Sequence, residues 1–498
     1  MRDQSRATLK SAFSFLDVAD SPNISYGQQR QREHMRKNVM NPNSNYKRKL
    51  KEFLNTHKAI IIIALFALII RVIFFIAVQP WNEQILQNKI LVKDSADYHK
   101  LALSILNTRS FSSWNPVRTP GYPIFISMIY FIFGIKPWVV SLIQVLLNII
   151  SLIMVYVGAK MIFNKQVAII SAVLFAIDPH TILHSIIPAT ETLFVLIFLV
   201  SILILIYGLR CKKIIFFLIS GFLLGLATLV RPIAQFFPIV VIGLILSYPR
   251  IKFVFRLKMI ISFSLIFLLI IAPWLYRNYS EYNHLSLCCI KGLMFLHIVS
   301  VTEAGKTGKS VDQMYAEFRK KAEEQGANET NNPFDYYQIL TRIEKNYIIA
   351  NWKLYIPMHL KGMANMFLSL YTSQICWLLG LESNRLPWEV FQSPSMLKTV
   401  RGFFKSKSNH EIMIGMFIGI FLLINYLAFF FGSISMICEK RYMDLIIISS
   451  VIMYFTVLTG VAGLAQYKLP IIPFYNIVSA QGLFKILKFS KNRKQHSI

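Results

Sequence analysis

The 498-residue chain is 55% hydrophobic and only 15% charged, with a mean hydropathy of +0.51, whereas an ordinary soluble domain carries roughly 25% charged residues. Its apolar residues come in blocks close to the ~20 residues that a bilayer crossing needs, which excludes a string of soluble globular domains. The net charge of +29 is not a nucleic-acid footprint: residues 1–58 hold twelve Lys/Arg against five Asp/Glu, the tail 485–498 holds five Lys/Arg and no acid, and other cations occupy short loops between apolar blocks, as the positive-inside rule distributes them.

In chain order, a basic, polar leader (1–58) precedes a first span at 59–78, interrupted only by Arg71. No cleavable leader is expected, since the first apolar run begins only near Ala59. A mixed segment, 79–120, follows with an amphipathic helix at about 96–107. Apolar blocks are then predicted at about 120–134, 137–158, 166–187, 190–209, 213–230, 232–248 and 257–275. A long amphipathic stretch, 277–410, carries helical patterns at 311–325 and 334–350, with turns at 304–310 and 326–332. Three more apolar blocks, 411–433, 443–463 and 467–487, close the chain.

The basic clusters Arg210/Lys212/Lys213, Arg250/Lys252/Arg256/Lys258 and Lys440/Arg441 are assigned to the cytoplasm with both termini. That parity requires block 120–134, short for a span, to lie at the outer interface. The segment 353–380, with Pro357, His359 and Lys361, is treated likewise. The expected fold is all-α and polytopic, with about ten transmembrane helices: a catalytic module at 59–275 with a first outer loop at 79–136, a larger helical outer loop at 276–410, and C-terminal helices with a basic tail at 411–498. The five cysteines, Cys211, Cys288, Cys289, Cys376 and Cys438, fit no zinc or redox spacing; a bridge from Cys288 or Cys289 to Cys376 is the one conceivable pairing.

The chemistry-bearing residues collect at the predicted outer boundary. Lys93-Asp94-Ser95-Ala96-Asp97-Tyr98-His99 opens the amphipathic helix, and Asp94 is either its N-cap or a reactive carboxylate. Arg118-Thr119-Pro120-Gly121-Tyr122-Pro123 sets a cation before a Pro-stiffened helix start, an arrangement suited to an anion. Glu191 opens one span, Arg231 precedes Pro232 between two, and Arg277 closes the aromatic run Pro273-Trp274-Leu275-Tyr276-Arg277-Asn278-Tyr279. Gln466-Tyr467-Lys468-Leu469-Pro470 opens the last block. Each has a structural explanation as a cap or an interfacial anchor. Their convergence at one depth is the stronger signal.

Taken in order, Asp-x-x-x-Tyr after the first span, Arg-Thr-Pro-Gly-Tyr-Pro, Ala189-Thr190-Glu191-Thr192-Leu193-Phe194, Gly225-Leu226-Ala227-Thr228-Leu229-Val230-Arg231-Pro232 and the Trp274–Tyr279 run resemble the GT-C superfamily of polyprenyl-phosphate-dependent glycosyltransferases. The likeness is to the bacterial branch related to protein mannosyltransferases and the lipid A aminoarabinose transferase, and it covers about residues 59–290. It implies a sugar–phosphate–polyprenol donor used outside the cytoplasm, with inversion, and a lipid, polysaccharide or protein acceptor. It further implies a catalytic base at Asp94, with Asp97 as runner-up, and a lipid-phosphate ligand at Arg118, supported by Arg277, Tyr467 and Lys468. Tyr98, Tyr122, Glu191 and Arg231 complete the implied pocket. Where the family's final-span motif reads Arg-Tyr, this chain has Gln466-Tyr467-Lys468, and Lys468 is the candidate replacement. Relatives admit a divalent metal, although no ligand cluster here demands one. The Trp-Trp-Asp-Tyr-Gly motif of oligosaccharyltransferases is absent, which argues against bloc transfer onto Asn. Partners are therefore the donor, its acceptor and membrane lipid, with no nucleic acid; the Lys/Ile/Asn richness points to a bacterial inner membrane. The competing reading is a transporter or lipid-linked-sugar flippase, which would set its ionisable groups near the midplane.

Overall fold

The computed structural model describes residues 42–111, 114, 116–249, 251–329, 332–384, 401–402, 404–461 and 463–496. Expectations for the leader before residue 42 and for 385–400 of the second loop fall outside these residues. The chain divides into two compact units, Met1–Ile61 and Ile62–Ile498, and the second carries the site.

The architecture is all-α, with no strand among the described residues. Helix α1 (Pro42–Val78) begins well before the apolar run. After a turn at Glu83–Ile85 and a π-helical stretch at Leu86–Ile90 come α2 (Asp94–Thr108), α3 (Gly121–Phe133), α4 (Pro137–Ile162) and α5 (Lys165–Ala176). The expected block 166–187 is therefore two pieces. Asp178 accepts hydrogen bonds from the amides of His180 and Thr181 and starts a short helix, α6 (Pro179–His184), because an Asx cap followed by Pro restarts the chain in a new direction. The hairpin α7 (Thr190–Cys211) and α8 (Ile214–Val230) follows, then a 3-10 turn (Pro232–Phe236), α9 (Phe237–Ser247) and α10 (Phe253–Tyr282).

By length and composition, five described helices are apolar enough to cross a membrane: the His57–Val78 part of α1, α4, α7, α10 and a later helix, α16 (Asn409–Cys438). Five shorter apolar helices accompany them: α3, α5, α8, Pro232–Ser247 and α17 (Tyr442–Leu458). This is a polytopic helical membrane protein. The last helix, α18 (Ile472–His496), enters through a 3-10 turn at Ala465–Ile471. It lies so close to α16 that a Cβ on Gly482 would collide with the Ala428 carbonyl, and one on Gly432 with that of Val478; small residues allow such backbone approach. At one end of the bundle Arg210 pairs with Asp444 at 2.6 Å and Lys485 with Glu439 at 2.6 Å, so the first and third basic clusters share an end. Glu191 lies at the opposite end of α7.

The second loop departs from expectation at its start. Ile290–Thr307 forms a helix (α11) that runs through the expected turn and stops at Gly308, whose φ of +72° suits glycine. It packs with α12 (Val311–Glu323) and α13 (Pro333–Ala350) around Leu296, Val299, Phe318, Phe334 and Leu340. Two further helices, α14 (Trp352–Leu368) and α15 (Thr372–Leu378), lead out. None of the five cysteines forms a disulfide among the described residues, so the conceivable bridge to Cys376 is not made.

Candidate active site

The site grows from the way loop one folds back on the α7–α8 hairpin. The α2 helix begins at Asp94 itself, after Lys93, and the Asp97 amide donates to the Lys93 carbonyl. Asp94 is thus released from the capping role open to it in the sequence. Its Oδ1 instead accepts from Arg118 Nη2 at 2.7 Å, and Asp97 Oδ2 accepts from the same nitrogen at 2.9 Å. The exposures differ: the Arg118 side chain is 11% exposed, Asp94 60% and Asp97 43%. The cation is the fixed, buried partner, and the carboxylates face outward.

Several contacts fix Arg118. Its guanidinium lies 5.1 Å from the Tyr98 ring centroid, a favourable cation–π position. Its carbonyl accepts from Trp114 Nε1 at 2.8 Å. Three residues on, Gly121 meets the backbone of Leu229 and Val230 so closely that a Cβ would lie 2.7 Å from the Leu229 carbonyl. Only glycine permits that approach, and it brings Arg118 alongside the end of α8, where Arg231 begins the next turn. Burial opposes the Arg118 charge, but Tyr98, Asp94 and the hydrogen bonds it donates to Asp97 and Asp94 outweigh it and hold its pKa above the ordinary value. Burial also pushes Tyr98 up to about 12, with Arg118 opposing, so the phenol stays neutral. Arg118 Nε is buried and has no hydrogen-bond partner among the described residues.

Behind this cluster Arg231 Nη1 sits 2.9 Å from Glu191 Oε1, both side chains largely buried. Tyr98 feels the charges of Arg118, Asp94, Glu191 and Arg231, so both ion pairs are within electrostatic reach of it. Tyr122 packs edge-on against Tyr98, ring centroids 5.1 Å apart, and its hydroxyl donates to Gln144. Tyr467 lies within electrostatic reach of Arg231, Asp94 and Glu191. The structure therefore brings together Asp94, Asp97, Tyr98, Arg118, Tyr122, Glu191, Arg231 and Tyr467.

Two expected members lie elsewhere. Lys468 is fully buried with its ammonium 3.4 Å from the Phe367 carbonyl and within reach of Asp178. Adjacent residues on a 3-10 helix point about 120° apart, so Tyr467 and Lys468 serve different surroundings. Arg277 donates to the Phe111 carbonyl at 2.6 Å and lies over the Trp274 and Tyr282 rings. With Trp114 against Phe111 and Trp274, it helps to hold Phe111 and Trp114, whose Nε1 donates to the Arg118 carbonyl.

Sequence reasoning missed His184, Gln144 and Tyr371. Tyr371 reaches Gln466 and packs edge-on against His184, ring centroids 5.5 Å apart. Gln144 and His184 lie among the residues of helices α4 and α6 and Tyr371 in the turn before α15, and no motif in the linear pattern flags them. Among the described residues no group of three or more His, Cys, Asp or Glu could hold a metal ion.

Residues 117–276 match the model of the family described as dolichyl-phosphate-mannose-protein mannosyltransferase. No curated protein matches the chain. Among solved structures, the chain is similar to the Archaeoglobus fulgidus oligosaccharyltransferase in the apo form, with 13% identity, a TM-score of 0.49, and coverage of 88% of this chain and 52% of that one. It is also similar to ArnT from Cupriavidus metallidurans bound to undecaprenyl phosphate, with 10% identity, a TM-score of 0.38, and coverage of 83% and 77% respectively. The chain thus spans about half the length of the archaeal protein. The matched stretch, residues 117–276, holds Arg118, Tyr122, Glu191 and Arg231 and is similar to the dolichyl-phosphate-mannose-protein mannosyltransferase family.

Proposed function

We propose that this protein transfers a sugar from a polyprenyl-phosphate donor to an acceptor hydroxyl or amine at the outer face of a bacterial inner membrane, with both termini in the cytoplasm. The observation that carries the reading is the single Arg118 nitrogen shared by Asp94 and Asp97, beside a stretch that matches a family of phosphate-linked sugar users. When the bond to the anomeric carbon breaks, negative charge grows on the leaving phosphate. A guanidinium already fixed by Tyr98 and Trp114 needs no reorganisation to meet it, and such preorganised charge is usually the largest catalytic term. Asp94, the more exposed carboxylate, takes the acceptor's proton, while Asp97 keeps Arg118 in place. Attack from the face opposite the phosphate inverts the anomeric centre. Arg231, held by Glu191, walls the pocket together with Tyr98, Tyr122 and Tyr467.

The test is transfer from a panel of radiolabelled polyprenyl-phosphate sugars by purified protein. Asp94→Asn should leave the protein folded and membrane-inserted and lower kcat by about 10²–10⁴-fold, the usual worth of a general base. Full activity in that variant removes Asp94 from the mechanism. Movement of intact donor across proteoliposomes without covalent change would instead indicate a flippase.

A further inference from the structure

Behind the Glu191–Arg231 pair lies a cavity of about one water molecule's size, lined by Asn148, Thr181, His184, Glu191 and Thr192 among others. His184 is 5% exposed, and neither ring nitrogen has a hydrogen-bond partner among the described residues. A buried imidazole left without partners is costly, and a neutral ring carries both a donor and an acceptor to be satisfied. The ring is held from outside the cavity, with Tyr371 packed edge-on against it. The His184 carbonyl accepts from Thr192 Oγ1 at 2.9 Å. Glu191 lines the same cavity, its Oε1 2.9 Å from Arg231 Nη1 and its Oε2 accepting from Thr190 Oγ1 at 3.5 Å, and a carboxylate has lone pairs left for a further donor. Phe175, Val195 and Leu469 make much of the lining apolar, so it is the two unpartnered ring nitrogens of His184, with the Glu191 carboxylate on the same cavity, that favour a bound water there.

We propose that His184 and Glu191 share one bound water in this cavity, and that through it His184 is a positioning residue for the Glu191–Arg231 pair. The water donates to the carboxylate and exchanges its second hydrogen bond with the imidazole, while Asn148 and Thr181 offer further partners. It fixes the rotation of Glu191 and hence the aim of the Arg231 guanidinium beside Tyr98. This role rests on the proposed transferase reading in one respect, that Arg231 contributes to holding the donor.

Two measurements test it. A high-resolution electron-microscopy map of the wild-type protein in nanodiscs should show a water peak within hydrogen-bonding distance of the His184 ring and Glu191. A dry cavity overturns the proposal whatever the reaction proves to be. In donor titrations, His184→Phe should raise the donor KM about tenfold with kcat within about twofold, the pattern of lost uniform binding. His184→Asn, which keeps a donor and an acceptor, should recover most of the loss. An unchanged KM in the Phe variant, or an Asn variant as poor as Phe, overturns the positioning role. If the wild-type protein uses no polyprenyl-phosphate donor, the transferase reading fails separately, and the map alone decides the water.

Discussion

Arg118 shows how a surface-loop cation becomes a fixed electrostatic element. It is anchored at its carbonyl by Trp114, under its plane by Tyr98 and at its tip by two carboxylates. Arginine suits this place because its planar fork stacks on the ring and meets oxygens at once, which an ammonium does not do. Arg118→Lys should therefore fail nearly as badly as Arg118→Ala. Losing a charge-assisted hydrogen bond of about 1.5–3 kcal/mol should raise the donor KM by at least about tenfold in both variants, read from initial rates at fixed acceptor. A lysine variant with wild-type KM would reduce the site to a point charge. The cluster's residue types and order were legible in the sequence, but the sharing of one nitrogen by Asp94 and Asp97 was not, because it depends on where α2 starts.

Among the elements, the break between α5 and α6 has the widest consequences. Arg71 of α1 is completely buried and donates to the carbonyls of Ala67, Phe175 and Ala176, to Asn148 Oδ1 and to Thr181 Oγ1. It thereby satisfies the end of α5, whose last carbonyls have no helical partner, and ties α1 and α4 to the turn that carries Asp178. In the sequence Arg71 is only an interruption of an apolar run. An ionisable residue there ordinarily signals a pathway; here it is the tie for a broken helix. Arg71→Leu leaves several buried acceptors unpaired and should cost about 3 kcal/mol or more of stability, seen as a lowered Tm in detergent. An unchanged Tm would mean that water replaces the guanidinium. Asn148 and Thr181 also line the cavity behind Glu191, so the same variant should weaken the proposed site without touching it.

For the molecule as a whole, the second loop contributes its own pH dependence. Glu344 on α13 is fully buried in the α11–α13 cluster, with both carboxyl oxygens unpartnered among the described residues. Burial pushes its pKa up to about 9. The folded state then holds a proton that the unfolded chain releases near its ordinary value of about 4.3. Stability is fully present below that unfolded pKa and falls as pH rises toward 9, by at most about 1.4 kcal/mol per pH unit, because the unfolded state binds fewer protons throughout that window. Glu344→Leu should flatten this part of the profile and raise Tm most at alkaline pH. A variant with the wild-type pH slope would show that another group dominates the loop's titration.

The sequence by itself determined the class of molecule, an all-α polytopic membrane protein, and the rough limits of most of its apolar helices. Those are consequences of composition, hydrophobic block length and the ordering of charged and Pro/Gly-rich steps, all local along the chain. The extra helix α11, the split of the expected 166–187 block, the placement of Lys468 beside Asp178 and of Arg277 beneath the Trp114 stretch, and the pairing of His184 with a cavity were decided only in three dimensions. Each depends on which carbonyls, rings and carboxylates from distant segments must be satisfied together once water is excluded, and no single stretch of sequence encodes that shared requirement.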